Sequence, residues 1–156
     1  MKINIGIPEK NRLEMAKLLN HLLANEYVLY TKTWKFHWNV VGPHFGSLHA
    51  FLDTHVEQLS KIIDEVAERV RALGVKSDGT LTEFLEKTSL PEHPGQNPDD
   101  LSMLKLLAED HETIIRKTHE DAEFSIKLGD PGTNNFLCEL VETHEKMAWM
   151  LRSFLE

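Results

Sequence analysis

The sequence predicts an all-α chain whose long helices pack as two hairpins. Two observations carry this: the placement of glycine and proline, and the period of the apolar residues between them. The 156 residues include 8 Gly and 6 Pro, which leave 9–41, 47–73, 80–90, 99–128 and 133–156 free of both. Four of these stretches far exceed a typical strand of about 5–6 residues, so a mostly-β architecture is excluded. Hydrophobic residues make up 41% of the chain, enough for one core, and the length fits a single domain over 1–156.

The elements follow in order. Over 9–38, Leu19, Leu22, Leu23, Leu29, Tyr30 and Phe36 recur at spacings of three and four, and Pro8-Glu9 provides a start. Over 45–73 the series is Leu48, Leu52, Leu59, Ile62, Ile63, Val66, Val70 and Leu73, with Gly74 as the stop. A short helix fits 81–88, where Thr80 and Glu83 form a capping box. The third long helix opens at Asn97-Pro98-Asp99-Asp100, carries Leu101, Leu104, Leu107, His111, Ile114, Ile115 and Ala122, and stops at Gly129. The last begins after Gly132 and carries Phe136, Leu137, Leu140, Val141, His144, Ala148, Leu151 and Leu155. Short connections within the first and last pairs make each an antiparallel hairpin. The long connector 75–98 can cross back over a helix of about 40 Å, making the second and third long helices parallel. Two hairpins joined by one long crossover is the arrangement of ferritin-like four-helix bundles.

Other classes fall away. The longest apolar run, Met147–Leu151, is far below the roughly 20 residues of a membrane span. The N-terminus lacks the apolar core of a signal peptide. The single Cys138 excludes an internal disulfide, suits a reducing cytosol and reads as a small core residue. A cytoplasmic location is expected.

None of the 9 histidines has a Glu three positions before it, so the Glu-x-x-His pairs that hold two metals inside such bundles are missing. Glu26, near the apolar side of the first helix, reads as a hydrogen-bonded structural carboxylate. His111 and His144, within apolar series, read as structural. The second helix offers another possibility. Relative to its core stripe centred on Leu59, His49, Asp53, Asp64 and Glu68 lie about 80–180° round the helix, beside or behind the stripe. Asp64 and Glu68 are an i,i+4 pair of carboxylates, and His49 and Asp53 an i,i+4 pair of potential ligands. His49 and Asp64 are 15 residues apart, about 22 Å along the axis, too far to share an ion within one helix. Two antiparallel copies across a two-fold axis would bring His49 of one to Asp64 and Glu68 of the other, giving two sites per pair. Spacing alone also allows ordinary solvated residues on a charged face.

His37-Trp38-Asn39-Val40, Gly42, Phe45, His49, Asp53 and Asp64-x-x-x-Glu68-Arg69 together resemble the core signature of the Dps family, the mini-ferritins. The resemblance runs from about Leu29 to Gly79, and the remaining helices are compatible in length and order. It implies a hollow homo-dodecamer with iron sites at two-fold interfaces. It implies that His37 and His49 ligate iron with Asp64 and Glu68 of a neighbouring subunit. Asp53 is implied as a weaker, water-mediated or second-metal ligand, and Trp38 as a catalytic electron donor or an interface residue. Imidazole and carboxylate suit Fe(II), and Zn(II) can substitute. The implied activity is that of a ferroxidase: Fe(II) is oxidised, preferentially by hydrogen peroxide, and stored as ferric mineral, protecting the cell from oxidative stress.

The net charge of −8 would give twelve copies about −96, which opposes approach to phosphates. Residues 1–12 carry only Lys2, Lys10 and Arg12, unlike the Lys/Arg-rich arm of DNA-binding relatives, so DNA binding is expected to be weak or absent. In the family, acidic pores at three-fold axes admit Fe(II). Asp121, Glu123, Asp130 and Glu139 are candidates, each read first as a solvated surface acid, while Asn135 stands where relatives often have Asp. Two other readings remain: a non-catalytic DNA-compacting shell, opposed by the charge, and a structural bundle with incidental histidines, opposed by the signature.

Overall fold

Each long stretch free of glycine and proline is helical. The computed structural model describes residues 3–156 and holds α1 (Glu9–Asn39), α2 (Phe45–Ala72), the short α3 (Leu81–Lys87), α4 (Asp100–Lys127) and α5 (Pro131–Arg152). Lys2, counted above with the N-terminal charges, lies outside the described residues. Among the described residues there is no strand, and no helix is long and apolar enough to cross a membrane.

Side-chain contacts fix the helix directions. Asn11 Nδ2 donates to the Leu128 carbonyl and Lys32 pairs with Asp110, so α1 and α4 run antiparallel. Phe51 packs on Phe154 and Arg69 reaches Asp130, so α2 and α5 are antiparallel as well. Since α1 and α2 form a hairpin, α2 and α4 are parallel, as the long crossover requires. The crossover is pinned along α1: Phe84 of α3 stacks on Tyr27 at 4.4 Å, and Asn25 Oδ1 accepts from the Ser89 N–H at 2.8 Å.

Caps explain the boundaries. Thr80 and Glu83 form the capping box, the Thr80 N–H donating to the Glu83 carboxylate at 2.9 Å. Asp99, rather than Asn97, caps α4, accepting from the Ser102 N–H at 2.9 Å. Asp130 caps α5 with Pro131 in the first turn, so that helix starts before Gly132. Gly74, at φ 85°, ends α2; a Cβ there would lie 2.0 Å from the Ile3 side chain. Arg12 donates to the freed Leu73 carbonyl at 2.7 Å.

The core is built from Met15, Leu19, Leu23, Leu29 and Phe36 of α1, Leu48, Leu52, Leu59, Val66 and Val70 of α2, and Leu104, Leu107, Ile114, Leu137 and Leu151 of the second hairpin. Several expectations need correction. Leu155 lies beyond the end of α5 and is exposed, and Leu101 is exposed in the first turn of α4. Cys138 is exposed rather than in the core, because the inward positions around it are Leu137, Leu140 and Val141. Asp121 and Asp130 are buried, so neither is a solvated acid. Asp121 pairs with Lys117, and burial, partly offset by that lysine, raises its pKa.

Candidate metal centre

The α1–α2 turn brings the first two predicted ligands together. The rings of His37 and His49 stack with centroids 3.8 Å apart. Each is held by the other's backbone: His37 Nδ1 lies 2.8 Å from the His49 carbonyl oxygen, and His49 Nδ1 lies 2.9 Å from the His37 carbonyl oxygen. A carbonyl oxygen only accepts, so in both rings Nδ1 carries the proton. Both Nε2 atoms are then lone-pair donors whenever the rings are neutral, the form a metal requires. The arrangement has a local cause. His37 sits in the last turn of α1, where helix carbonyls lack partners, and the His49 ring supplies one.

Aromatic rings surround the histidine pair. The indole against the His37 ring is Trp34, edge-on at 5.1 Å and three residues earlier on the same helix face. Trp38 stacks on Trp34 at 5.3 Å and is 67% exposed, while Phe45 packs 5.2 Å from His49. Together with the exposed Val41, these rings leave an apolar surface around the histidine pair.

Asp53, Asp64 and Glu68 are exposed along the unbroken helix α2. Asp53 follows His49 by one turn. Asp64 and Glu68 lie towards the opposite end of the helix, and Glu68 borders an open groove with Glu65, Arg69, Ala72, Phe136 and Glu139. Arg69, the neighbour of Glu68, is engaged elsewhere, donating to Asp130 and to Thr133 Oγ1, each at 2.8 Å. Of the pore candidates, Glu123 and Glu139 are exposed, and Glu139 accepts from Asn135 at 2.8 Å. Among the described residues of one chain, no three His, Cys, Asp or Glu side chains converge as a ready metal cage. The structure thus brings His37 and His49 together and leaves the two distal carboxylates apart from them.

His111 and His144 are buried in the core, as their apolar series implied. Glu26 is fully buried beside His144, but neither of its oxygens has a well-formed hydrogen bond, contrary to expectation. His55, which the sequence reading passed over, joins them. Its signal was available: four residues before Leu59, it lies about 40° from the centre of the α2 core stripe.

Comparison with known proteins places this arrangement. The ferritin-like domain family matches residues 16–156. An uncharacterized low temperature-induced protein of Nostoc sp. is 45% identical over 156 residues, covering 99% of this chain and 87% of that protein. The DNA protection during starvation protein of Listeria innocua is 33% identical over 146 residues, covering 93% of this chain and 94% of that one. The crystal structure of the Dps protein from Vibrio cholerae O1, described as a member of a broad superfamily of ferritin-like diiron-carboxylate proteins, superposes with a TM-score of 0.94. It is 29% identical to this chain and covers 100% of it and 98% of its own length. In helix order, crossover and sequence alike, this chain belongs to the Dps family of ferritin-like proteins.

Proposed function

We propose that this protein is a cytoplasmic ferroxidase and iron store whose reaction sites form between subunits of a hollow dodecamer. Iron storage with protection of DNA is the role that membership of the family supports in general. The finer reading is that Fe(II) binds through Nε2 of His37 and His49 from one subunit and the carboxylates of Asp64 and Glu68 from its neighbour. Asp53 assists through water or a second ion. Zn(II) competes for the same ligands.

One observation carries this reading: the reciprocal Nδ1–H to carbonyl bonds that leave both Nε2 atoms free. The rings are aimed before an ion arrives, so binding need not first order them. Two imidazoles cannot complete a site alone. The acids that could do so lie about 22 Å further along the same helix, and a second, antiparallel copy supplies them. The exposed Trp38, Val41 and Phe45 give that copy an apolar surface to cover.

In the reaction, two Fe(II) ions each give one electron to one hydrogen peroxide. Its O–O bond breaks, both oxygens are reduced to the level of water, and hydrolysis of the Fe(III) releases protons as mineral forms. A two-electron reduction yields no free hydroxyl radical. Peroxide is the preferred oxidant, and Trp38, stacked on Trp34, can supply an electron when iron is scarce. The protein's own contributions are orientation of the imidazoles and negative charge from the acids, which favours Fe(III) over Fe(II). The net charge of −8 per chain suits cation traffic and keeps direct DNA contact weak or absent, so protection runs through iron chemistry.

The test is Fe(II) oxidation by peroxide in the wild type, in His37→Ala/His49→Ala and in Asp64→Asn/Glu68→Gln. Both double variants are expected to lose the fast phase while retaining the assembled shell. If either oxidises iron as fast as the parent, the proposed site is wrong. A gel shift at low ionic strength tests the DNA reading, and tight metal-independent binding would refute it.

A further inference from the structure

The chain holds 3 Trp and 2 Tyr, and all but Trp149 stand on α1, as Tyr27, Tyr30, Trp34 and Trp38. Spacings of three and four residues put them on one stripe of the helix. Their rings meet in succession. Trp38 stacks on Trp34 at 5.3 Å, Trp34 meets Tyr30 edge-on at 6.4 Å, and Tyr30 meets Tyr27 edge-on at 6.0 Å. Trp34 also stands edge-on to the His37 ring at 5.1 Å, so the stripe touches a ligand of the proposed reaction site. Phe84 of α3, stacked on Tyr27, closes the far end.

Packing alone does not call for this composition. The chain has 7 Phe, a ring that fills similar space but is far harder to oxidise, and none stands in the stripe. Phe36, the phenylalanine of α1, is buried in the core instead. An indole or a phenol that loses an electron must also release its proton. Tyr27, Tyr30 and Trp34 are half-buried rather than sealed in the core, which leaves water at the edge of the stripe to exchange protons with them.

We propose that Trp34, Tyr30 and Tyr27 form a one-electron relay along α1 that draws oxidising equivalents out of the reaction site and holds them as a tyrosyl radical. The relay rests on the ferroxidase reading and acts when peroxide meets a site holding one Fe(II) instead of two. The ion gives one electron and the Trp34 indole gives the other. The O–O bond breaks, and both oxygens become water by taking the indole proton and one proton from solvent. Trp34 is left as a neutral radical. Tyr30 then gives Trp34 an electron, and the phenol proton balances the one the indole regains. A phenol is the easier of the two rings to oxidise once its proton is lost, so the radical moves from tryptophan to tyrosine. Tyr27 exchanges with Tyr30 on equal terms and spreads the radical away from the iron. Trp38 is a side branch at the exposed end and holds the tryptophan radical. The next Fe(II) at the site returns the electron, and the phenoxyl takes a proton from water. No hydroxyl radical leaves the site, although iron has supplied only half the electrons.

The test gives the assembled protein less Fe(II) than its sites can hold, then excess peroxide, and freezes samples at set times for electron paramagnetic resonance. Iron oxidation is followed in the same samples. Absence of iron oxidation would refute the ferroxidase reading and the relay with it, whereas oxidised iron without a tyrosyl signal would refute the relay alone. The expected result is a tryptophan signal followed by a tyrosyl signal that narrows when the tyrosine rings are deuterated. Tyr30→Phe keeps the packing and cuts Tyr27 off, so it should abolish the tyrosyl signal and leave the tryptophan one. Trp38→Phe should leave the tyrosyl signal, and Trp34→Phe should abolish both. Peptide mass spectrometry adds a readout that packing does not move. Oxidation should mark Tyr30 and Tyr27 and spare Trp149, which is 60% exposed on α5 and outside the stripe. A freely diffusing radical would strike Trp149 as well. A tyrosyl signal unchanged in folded Tyr30→Phe, or Trp149 oxidised as heavily as the stripe, overturns the relay.

Discussion

At the α1–α2 turn, His37 and His49 each commit Nδ1 to a backbone carbonyl and keep Nε2 free. In the bundle core, His55 has no hydrogen-bond partner at either nitrogen, His111 and His144 share one bond through Nδ1, and His144 Nε2 lies 2.9 Å from the Glu26 carboxylate. The first pair is oriented by main-chain atoms that a helix end leaves unsatisfied, so its geometry survives without a metal. The second group is oriented by packing and by the short approaches of His111 to His144 and of His144 to Glu26, with no main-chain group holding any of its rings. The difference shows how one residue type serves two purposes. A ring anchored through Nδ1 near the surface keeps Nε2 open to an incoming ion, while a desolvated ring in the core is a stability liability that acid exposes.

The largest expected effect comes from breaking the first region. His37→Ala/His49→Ala should slow peroxide-driven Fe(II) oxidation by more than about 100-fold, beyond the loss typical of outer-shell changes, while circular dichroism stays that of the parent. Stopped-flow absorbance checks it.

Acid probes the second region. His55 has a folded pKa near 4 against an ordinary 6.5, so between those values the unfolded chain binds the extra proton. Its contribution is whole above pH 6.5 and is lost as the pH falls towards 4, by about 3 kcal/mol in all. The titratable groups beside His55 are His111, its ring centroid 5.9 Å away, and His144, and the downward shift of His111 adds to the loss in the same direction. Urea unfolding of metal-free protein at fixed concentration should show this slope, and His55→Phe should flatten it. An unchanged slope in His55→Phe would remove His55 from the account.

Smaller effects refine the first region. Asp53→Asn should cost about tenfold or less in iron oxidation, as expected for a group acting through water. Trp38→Phe should change the rate by less than about threefold, a much smaller effect than ligand loss, and should remove a tryptophan radical signal seen by electron paramagnetic resonance when peroxide exceeds iron. A loss as large as that in the histidine variant would make Trp38 part of the binding set.

Much of this architecture was legible because helices are written locally. Gly74 and Gly129 end helices by adopting positive φ, Thr80 and Glu83 begin one, and the spacing of Leu48, Leu52, Leu59 and Val66 marks a buried stripe. The histidine pair was legible as a motif, but its tautomer was not, because that depends on how the α1–α2 turn lays one backbone against the other ring. Trp34 was missed although it precedes His37 by one turn, since the sequence drew attention to the adjacent Trp38. His55 lay on the core stripe and could have been found from its angle alone. Asp130 read as a surface acid because its two partners, Arg69 and Thr133, come together only when α2 meets α5.

If one reaction site takes its histidines and its acids from different chains, subunit complementation restores it. The His37→Ala/His49→Ala and Asp64→Asn/Glu68→Gln chains, each inactive alone, are co-expressed so that they assemble together. Each mixed two-fold pair then has one intact site, from the histidines of one chain and the acids of the other. Random one-to-one mixing should restore about a quarter of wild-type Fe(II) oxidation. Mixed shells that oxidise iron no faster than either variant alone would contradict a site shared between chains.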